Sequence, residues 1–189
     1  MTQPIRLQSL VAAPAAGFEQ PFEMLDACHE RVHRMLALLA RLREHLRTHG
    51  ADTQAQQAAR DVMRYFDQAA PQHHRDEELH VFPPLLAQGD PRTVAVVTRL
   101  QQDHLQMESR WRAARQVLDS VADARTAALS SADDAVLDAF AGLYAGHIQA
   151  EEEIAYPAVQ AKSPGLGKGA EFSFRLPSLE PRSSTGLEG

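Results

Sequence analysis

The apolar positions of the chain fall into four runs with helical spacing. Between Pro21 and Thr48, the residues Phe22, Leu25, Val32, Leu36, Leu39, Leu42 and Leu46 recur at steps of three, four and seven, which places them on one face of an amphipathic helix. Gly50 is positioned to end it. A second run starts near Asp52 or Thr53 and carries Val62, Tyr65, Phe66 and Ala69 on to Leu85. Pro71 lies inside it, where loss of one backbone donor is expected to bend the helix. Gly89, Asp90 and Pro91 interrupt the pattern and restart it, with Asp90 as N-cap and Pro91 as the first helical residue. The third helix then runs to about Val121. Ser131, with Asp134 three positions on, approximates a capping box for a fourth helix through Leu137, Phe140, Leu143, Tyr144 and Ile148 that ends near Gln160.

No segment shows the alternation of a strand. Four long helices joined by short links predict an all-α fold, an up-down-up-down four-helix bundle over residues 21–161. Residues 1–20, with Pro4, Pro14 and Gly17 among small side chains, read as a flexible leader, and residues 162–189, rich in Gly, Pro and Ser, as a disordered tail.

Composition mainly excludes. With 44% hydrophobic and 23% charged residues the chain can bury a core, and a formal charge of -6 argues against nucleic acid as a partner. Neither a membrane span nor a secretory signal is recognisable, and the single cysteine, Cys28, closes no intrachain disulfide. A cytoplasmic protein is the expectation. What does change the picture is nine histidines, all from His29 to His147.

The histidines are organised by an internal repeat. His73 to Pro83 aligns without gaps on His147 to Pro157, and both read H-x-x-x-E-E-x-x-x-[F/Y]-P. The preceding helices match as well: His29 with Val32 and Leu36 corresponds to His104 with Met107 and Trp111. His73 follows His29 by 44 positions and His147 follows His104 by 43. At about 1.5 Å of rise per residue, His29 lies roughly 10 Å from its helix end and His73, His104 and His147 roughly 20 Å from theirs, so all four sit toward one end of the bundle. Within each H-x-x-x-E unit the spacing of four puts His and Glu on one face. Imidazoles plus carboxylates without thiolates suit iron, manganese or zinc, and two glutamates from different helices can each bridge two metals.

The twin motif with its two lone upstream histidines resembles the hemerythrin-like family, or HHE cation-binding domain, over about residues 22–161. Carried over by position, the resemblance implies metal ligation by His29, His73, Glu77, His104, His147 and Glu151. It implies a pair of non-haem iron ions joined by an oxo or hydroxo bridge, with manganese or zinc as lesser alternatives, and dioxygen, nitric oxide or peroxide as ligand. Binding or sensing of a diatomic molecule is the function expected. The alternatives are a di-iron oxidoreductase drawing on an electron-donor protein (an oxidase, peroxidase, nitric-oxide reductase or repairer of iron centres) and an iron-sensing or iron-storage module. Oxygen-carrying hemerythrins have an H-x-x-x-H pair on the third helix, where this chain has Glu108 four residues after His104. His33, four residues after His29, could supply such a pair from the first helix and otherwise lies just outside the ligands.

The remaining candidates have plainer expected roles. His45, His49, His74 and His80 lie outside the repeat and are expected to be solvated or hydrogen-bonded. Glu78 and Glu152 stand about 100° round the helix from the ligand glutamates, as outer partners or surface groups. Phe82, Tyr156, Met107 and Trp111 are expected in the core, Cys28 as a half-buried thiol, and Arg41, Arg43 and Arg47 on a solvated face.

Overall fold

The computed structural model describes residues 21–162, all helices and short links, with no strand among them. The leader and the tail beyond Lys162 lie outside the described residues. The first arm is α1 (Pro21–His49), closed by Gly50 at φ +76°. The second is α2 (Thr53–Asp76), a π-helical turn (Glu77–Val81) and α3 (Phe82–Gln88). The third is α4 (Pro91–Ala122), and the fourth comprises α5 (Ser131–Ala141), α6 (Tyr144–Ala150), a second π turn (Glu151–Ala155) and α7 (Tyr156–Lys162). The all-α four-helix bundle is the fold.

The starts and stops follow local chemistry. Asp52 accepts from the Ala55 N–H and Asp90 from the Thr93 N–H, each relieving an orphan donor of the first turn. Gly89 closes α3 at φ +71°, a left-handed position that a Cβ would strain. The expected capping box is displaced by one residue. Ser130 and Asp133 form it reciprocally, and the helix proper begins at Ser131.

Asp134 is thereby free for another task. It accepts two bonds from Arg43, 2.7 Å to Nε and 3.0 Å to Nη2, while Asp138 receives Arg43 Nη1 at 2.8 Å and Arg47 Nη2 also reaches Asp134. The arginine stretch is therefore not a wholly solvated face: Arg43 ties α1 to α5. Its guanidinium holds the Asp134 carboxyl down at about 2. A depressed folded-state value means the stabilisation is present above the ordinary pKa of 3.8 and disappears as pH falls through about 2. Changing Asp134 to Asn should lower stability at pH 7 by about 1 kcal/mol or less, since the pair is partly exposed. In urea denaturation the gap from the parent chain should vanish near pH 2; a gap unchanged by acid would show that the ion pair is not its source.

Pro71 does not break the second arm. The α2 helix continues past it to Asp76, and the departure from α-helical bonding comes at Glu77–Val81, before Pro83. The fourth arm does the same at Glu151–Ala155, before Pro157. A proline has no N–H and clashes with the carbonyl four residues back. In both arms the residue before the proline, Phe82 or Tyr156, donates instead to the carbonyl five residues back, at Glu77 or Glu151. The proline of each motif thus comes with a widened turn that begins at the motif's first glutamate.

Two apolar clusters bracket the place where the motifs meet. The larger contains Val32, Phe66, Met107, Leu118, Phe140 and Ile148; the smaller contains Leu25, Phe82, Leu85, Leu100, Tyr156 and Val159. On every arm the motif histidine lies between members of the two. The histidines are therefore an off-centre layer with an apolar lid of its own, not an exposed end. Cys28 is fully buried here rather than half-buried, and burial pushes its thiol up to about 12, which leaves it protonated. Met107 is core as expected, and Trp111 packs against Phe66 while its indole N–H donates to Asp67. No helix among the described residues is long and apolar enough to cross a membrane.

Candidate metal centre

All six repeat residues converge. His29, His73, Glu77, His104, His147 and Glu151 come from all four arms, and each is buried, the two glutamates at 0% exposure. Their donor atoms form two sets, His29, His73, Glu77 and Glu151 in one and Glu77, His104, His147 and Glu151 in the other, with every pair of ligand atoms in a set within 4.8 Å. His29 Nε2 and His73 Nε2 stand 3.2 Å apart, and so do His104 Nε2 and His147 Nε2. Each carboxylate reaches both pairs. Glu77 places Oε1 3.6 Å from His73 Nε2 and Oε2 3.4 Å from His104 Nε2. Glu151 places Oε2 3.1 Å from His29 Nε2 and Oε1 2.8 Å from His147 Nε2.

These contacts are close without being well-directed hydrogen bonds. Glu77 Oε2 and both Glu151 oxygens are buried and receive none. Unpaired buried carboxylate oxygens are costly, and nitrogen and oxygen lone pairs that converge on a common point are what a cation satisfies. The paired imidazole nitrogens, with the shared carboxylates, would together hold cations here. The donor set fits a pair of metal ions.

The rest of the motif holds these side chains in place, and it does so across the repeat. His29, in the first half, has Nδ1 2.9 Å from Glu152 Oε1 and its ring stacked on Tyr156, at a centroid distance of 5.6 Å and 11°. His104, in the second half, has Nδ1 3.0 Å from Glu78 Oε1 and its ring stacked on Phe82, at 5.6 Å and 21°. So the second glutamate and the aromatic of each motif orient the lone histidine of the other half. Anchoring the far ring nitrogen on a carboxylate fixes tautomer and orientation and raises the basicity of the ligating nitrogen. His147 Nδ1 faces Asp103 at 3.6 Å. Glu78 and Glu152 are the outer partners that the 100° offset allowed for. Phe82 and Tyr156 are core residues as expected, but they also wall the site, and the Tyr156 hydroxyl donates to Glu77 Oε1 and lies 3.3 Å from His29 Nε2.

The electrostatics of the metal-free cluster show the same demand for positive charge. Burial alone would lower His29 and His104, but the carboxylates facing them outweigh it: Glu151, Glu77 and Glu152 raise His29 to about 9, and Glu151, Glu77 and Glu78 raise His104 to about 11. Burial would likewise raise Glu151, yet His104, His147 and His29 hold it well below the usual carboxylate range. Protons on two imidazoles stand in for cations.

Two sequence candidates do not enter the layer. His33 is exposed, and Glu108 is exposed and bonded to Arg112. One residue expected to stay outside does enter it. His74 stacks on His104 with centroids 4.1 Å apart at 15°, meets His147 at 6.0 Å, and places a ring nitrogen within 4.8 Å of nitrogens of both. Burial first, and then the neighbouring imidazoles, hold it well below the usual histidine value, so it is neutral. Its position in the second repeat is taken by Ile148, so the repeat does not mark it. Of the other off-repeat histidines, His45 lies 3.0 Å from Asp52 and stacks on His49, far from the layer in sequence and in role.

A family model of the Hemerythrin HHE cation binding domain matches residues 20–159. The chain belongs to this hemerythrin HHE family. A relative in Haemophilus influenzae, described as an uncharacterized protein, is 30% identical over 148 residues, which cover 78% of this chain and 84% of the relative. The HHE match spans all four arms and both motifs, and the His/Glu clusters support metal-cation binding by this HHE protein.

Proposed function

We propose that the chain binds two iron ions, one held by His29 and His73 and the other by His104 and His147, with Glu77 and Glu151 each bridging both, and uses the pair to bind or sense dioxygen or nitric oxide. The observation that carries this is the reach of each carboxylate to both imidazole pairs. Nitrogen and oxygen donors without thiolate suit iron, manganese or zinc, and two neutral imidazoles with shared carboxylates leave coordination positions for a small molecule. When bound, such ions supply reversible electron transfer to a diatomic ligand. The protein's own part is to orient the imidazoles through Glu78 and Glu152, and to exclude water with the two apolar clusters.

A redox enzyme on the same centre is the second reading, and Tyr156 favours it. Its phenol, an oxidisable group, donates to one of the two shared carboxylates. Both readings predict about two irons per chain from iron-supplemented cells and a new visible absorption band when the reduced protein meets air or nitric oxide. Turnover with an added reductant separates the enzyme from the binder. One zinc per chain with a featureless spectrum would overturn both.

A further inference from the structure

The two metal positions are matched in almost every respect: a pair of imidazoles 3.2 Å apart, a carboxylate on the outer Nδ1, an aromatic ring stacked over the lone histidine. They differ in the Tyr156 hydroxyl, which the Phe82 side lacks, and in one imidazole. Where the second repeat puts Ile148 into the apolar core, the first puts His74 against His104 and His147. His74 makes ring contacts with His73, His104 and His147, and no hydrogen bond of its ring nitrogens is found among the described residues. It is half-buried, whereas the four histidines of the repeat are buried, so it stands between this side of the layer and solvent.

His74 is not placed as a further ligand. An imidazole lone pair lies in the plane of its ring, and two rings stacked 4.1 Å apart at 15° cannot both aim a lone pair at one ion. Nor is its far nitrogen anchored on a carboxylate, as those of His29 and His104 are. What the stacking does is hold an imidazole, with a ring N–H to donate, near the nitrogens that define the His104/His147 position. We propose that His74 is the hydrogen-bond partner of the small molecule that binds beside His104 and His147, which makes this the ligand-binding side of the centre and selects for ligands with a hydrogen-bond-accepting end: dioxygen, nitric oxide or a small anion.

This rests on the two-metal reading above, and the test separates them. The iron-loaded full chain is oxidised and titrated with azide, followed by its absorption band, beside the variants His74→Phe, which keeps a ring for the stack but has no nitrogen, and His74→Ala. Helicity by circular dichroism and iron content are measured on all three. Both variants should stay helical with about two irons and bind azide about tenfold more weakly, the worth of one hydrogen bond. Unchanged azide affinity in His74→Phe would overturn the proposal. So would an iron content reduced to about one, which would make His74 a ligand. A parent chain that takes up no iron would overturn the two-metal reading and this inference with it.

Discussion

Alanine in place of Glu151 is expected to leave a helical chain that holds at most one metal ion. Glu151 presents one oxygen to His29 and the other to His147, with His104 at 3.9 Å from the latter oxygen. The substitution therefore removes an oxygen donor from both positions at once. Replacing an outer partner of a ligand costs about 10–100-fold in affinity, so loss of a shared first ligand exceeds that. Three variants make the scale internal to the protein. Glu108→Ala removes an exposed carboxylate and should bind two ions like the parent. Glu152→Ala removes the anchor on His29 Nδ1 and should weaken binding within the 10–100-fold range. Glu151→Ala should lose one ion outright. The fold survives because the helices are held by apolar clusters on both sides of the layer, and because His29 and His104 lose the main cause of their protonation when the carboxylate goes. Metal content measured on refolded, helical protein decides it: two ions retained by Glu151→Ala would mean that the carboxylate bridges nothing.

The six converging residues were legible because they repeat. Duplication marks shared roles without requiring any knowledge of how each helix is rotated, and the spacing of four within each unit already places His and Glu on one face. What the spacing does not contain is helix rotation, so it left open which residue each outer group would meet. Glu78 and Glu152 point away from their own motif's ligands, but the neighbouring half packs against that direction, so they meet His104 and His29. Tyr156 and Phe82 are five residues past the motif glutamates, a separation that an α-helix places off the face and a π turn brings back onto it. The signal for that turn was present in Pro83 and Pro157, each at the same place in its motif, whereas Pro71, which has no repeated counterpart, disrupts nothing. His74 had no repeated counterpart either, and a residue that breaks a pseudo-symmetry cannot be found by looking for the symmetry. His33 failed for a plainer reason: four residues on from His29 is the same face only if the helix presents that face to the layer over two turns, and α1 turns Val32 inward instead.

Metal uptake should release protons and strengthen steeply with pH. In the metal-free protein the buried carboxylates hold protons on His29, at about 9, and on His104, at about 11, so both imidazoles are charged at pH 7. Neither can ligate until its proton leaves. With about two protons displaced for a filled pair, overall affinity should rise on the order of 100-fold per pH unit between pH 6 and 8, since each proton contributes about tenfold. Calorimetric titrations of ferrous ion, run anaerobically in two buffers of different ionisation enthalpy, count those protons directly; a count near zero would show that neutral imidazoles already face the carboxylates. Stability carries the opposite slope. Each folded-state value lies above the ordinary 6.5, so the stabilisation is complete below pH 6.5 and is lost as pH rises through about 9 and then about 11. For His29, a pKa of about 9 in the folded chain against 6.5 in the unfolded one corresponds to about 3 kcal/mol. The metal-free chain should therefore lose melting temperature between pH 7 and 10, as protons leave carboxylates that remain buried and charged. The loaded chain should not, because there the ions, not protons, face Glu77 and Glu151. A metal-free chain whose melting temperature is flat over that range would mean that the two carboxylates are not what raises the histidines.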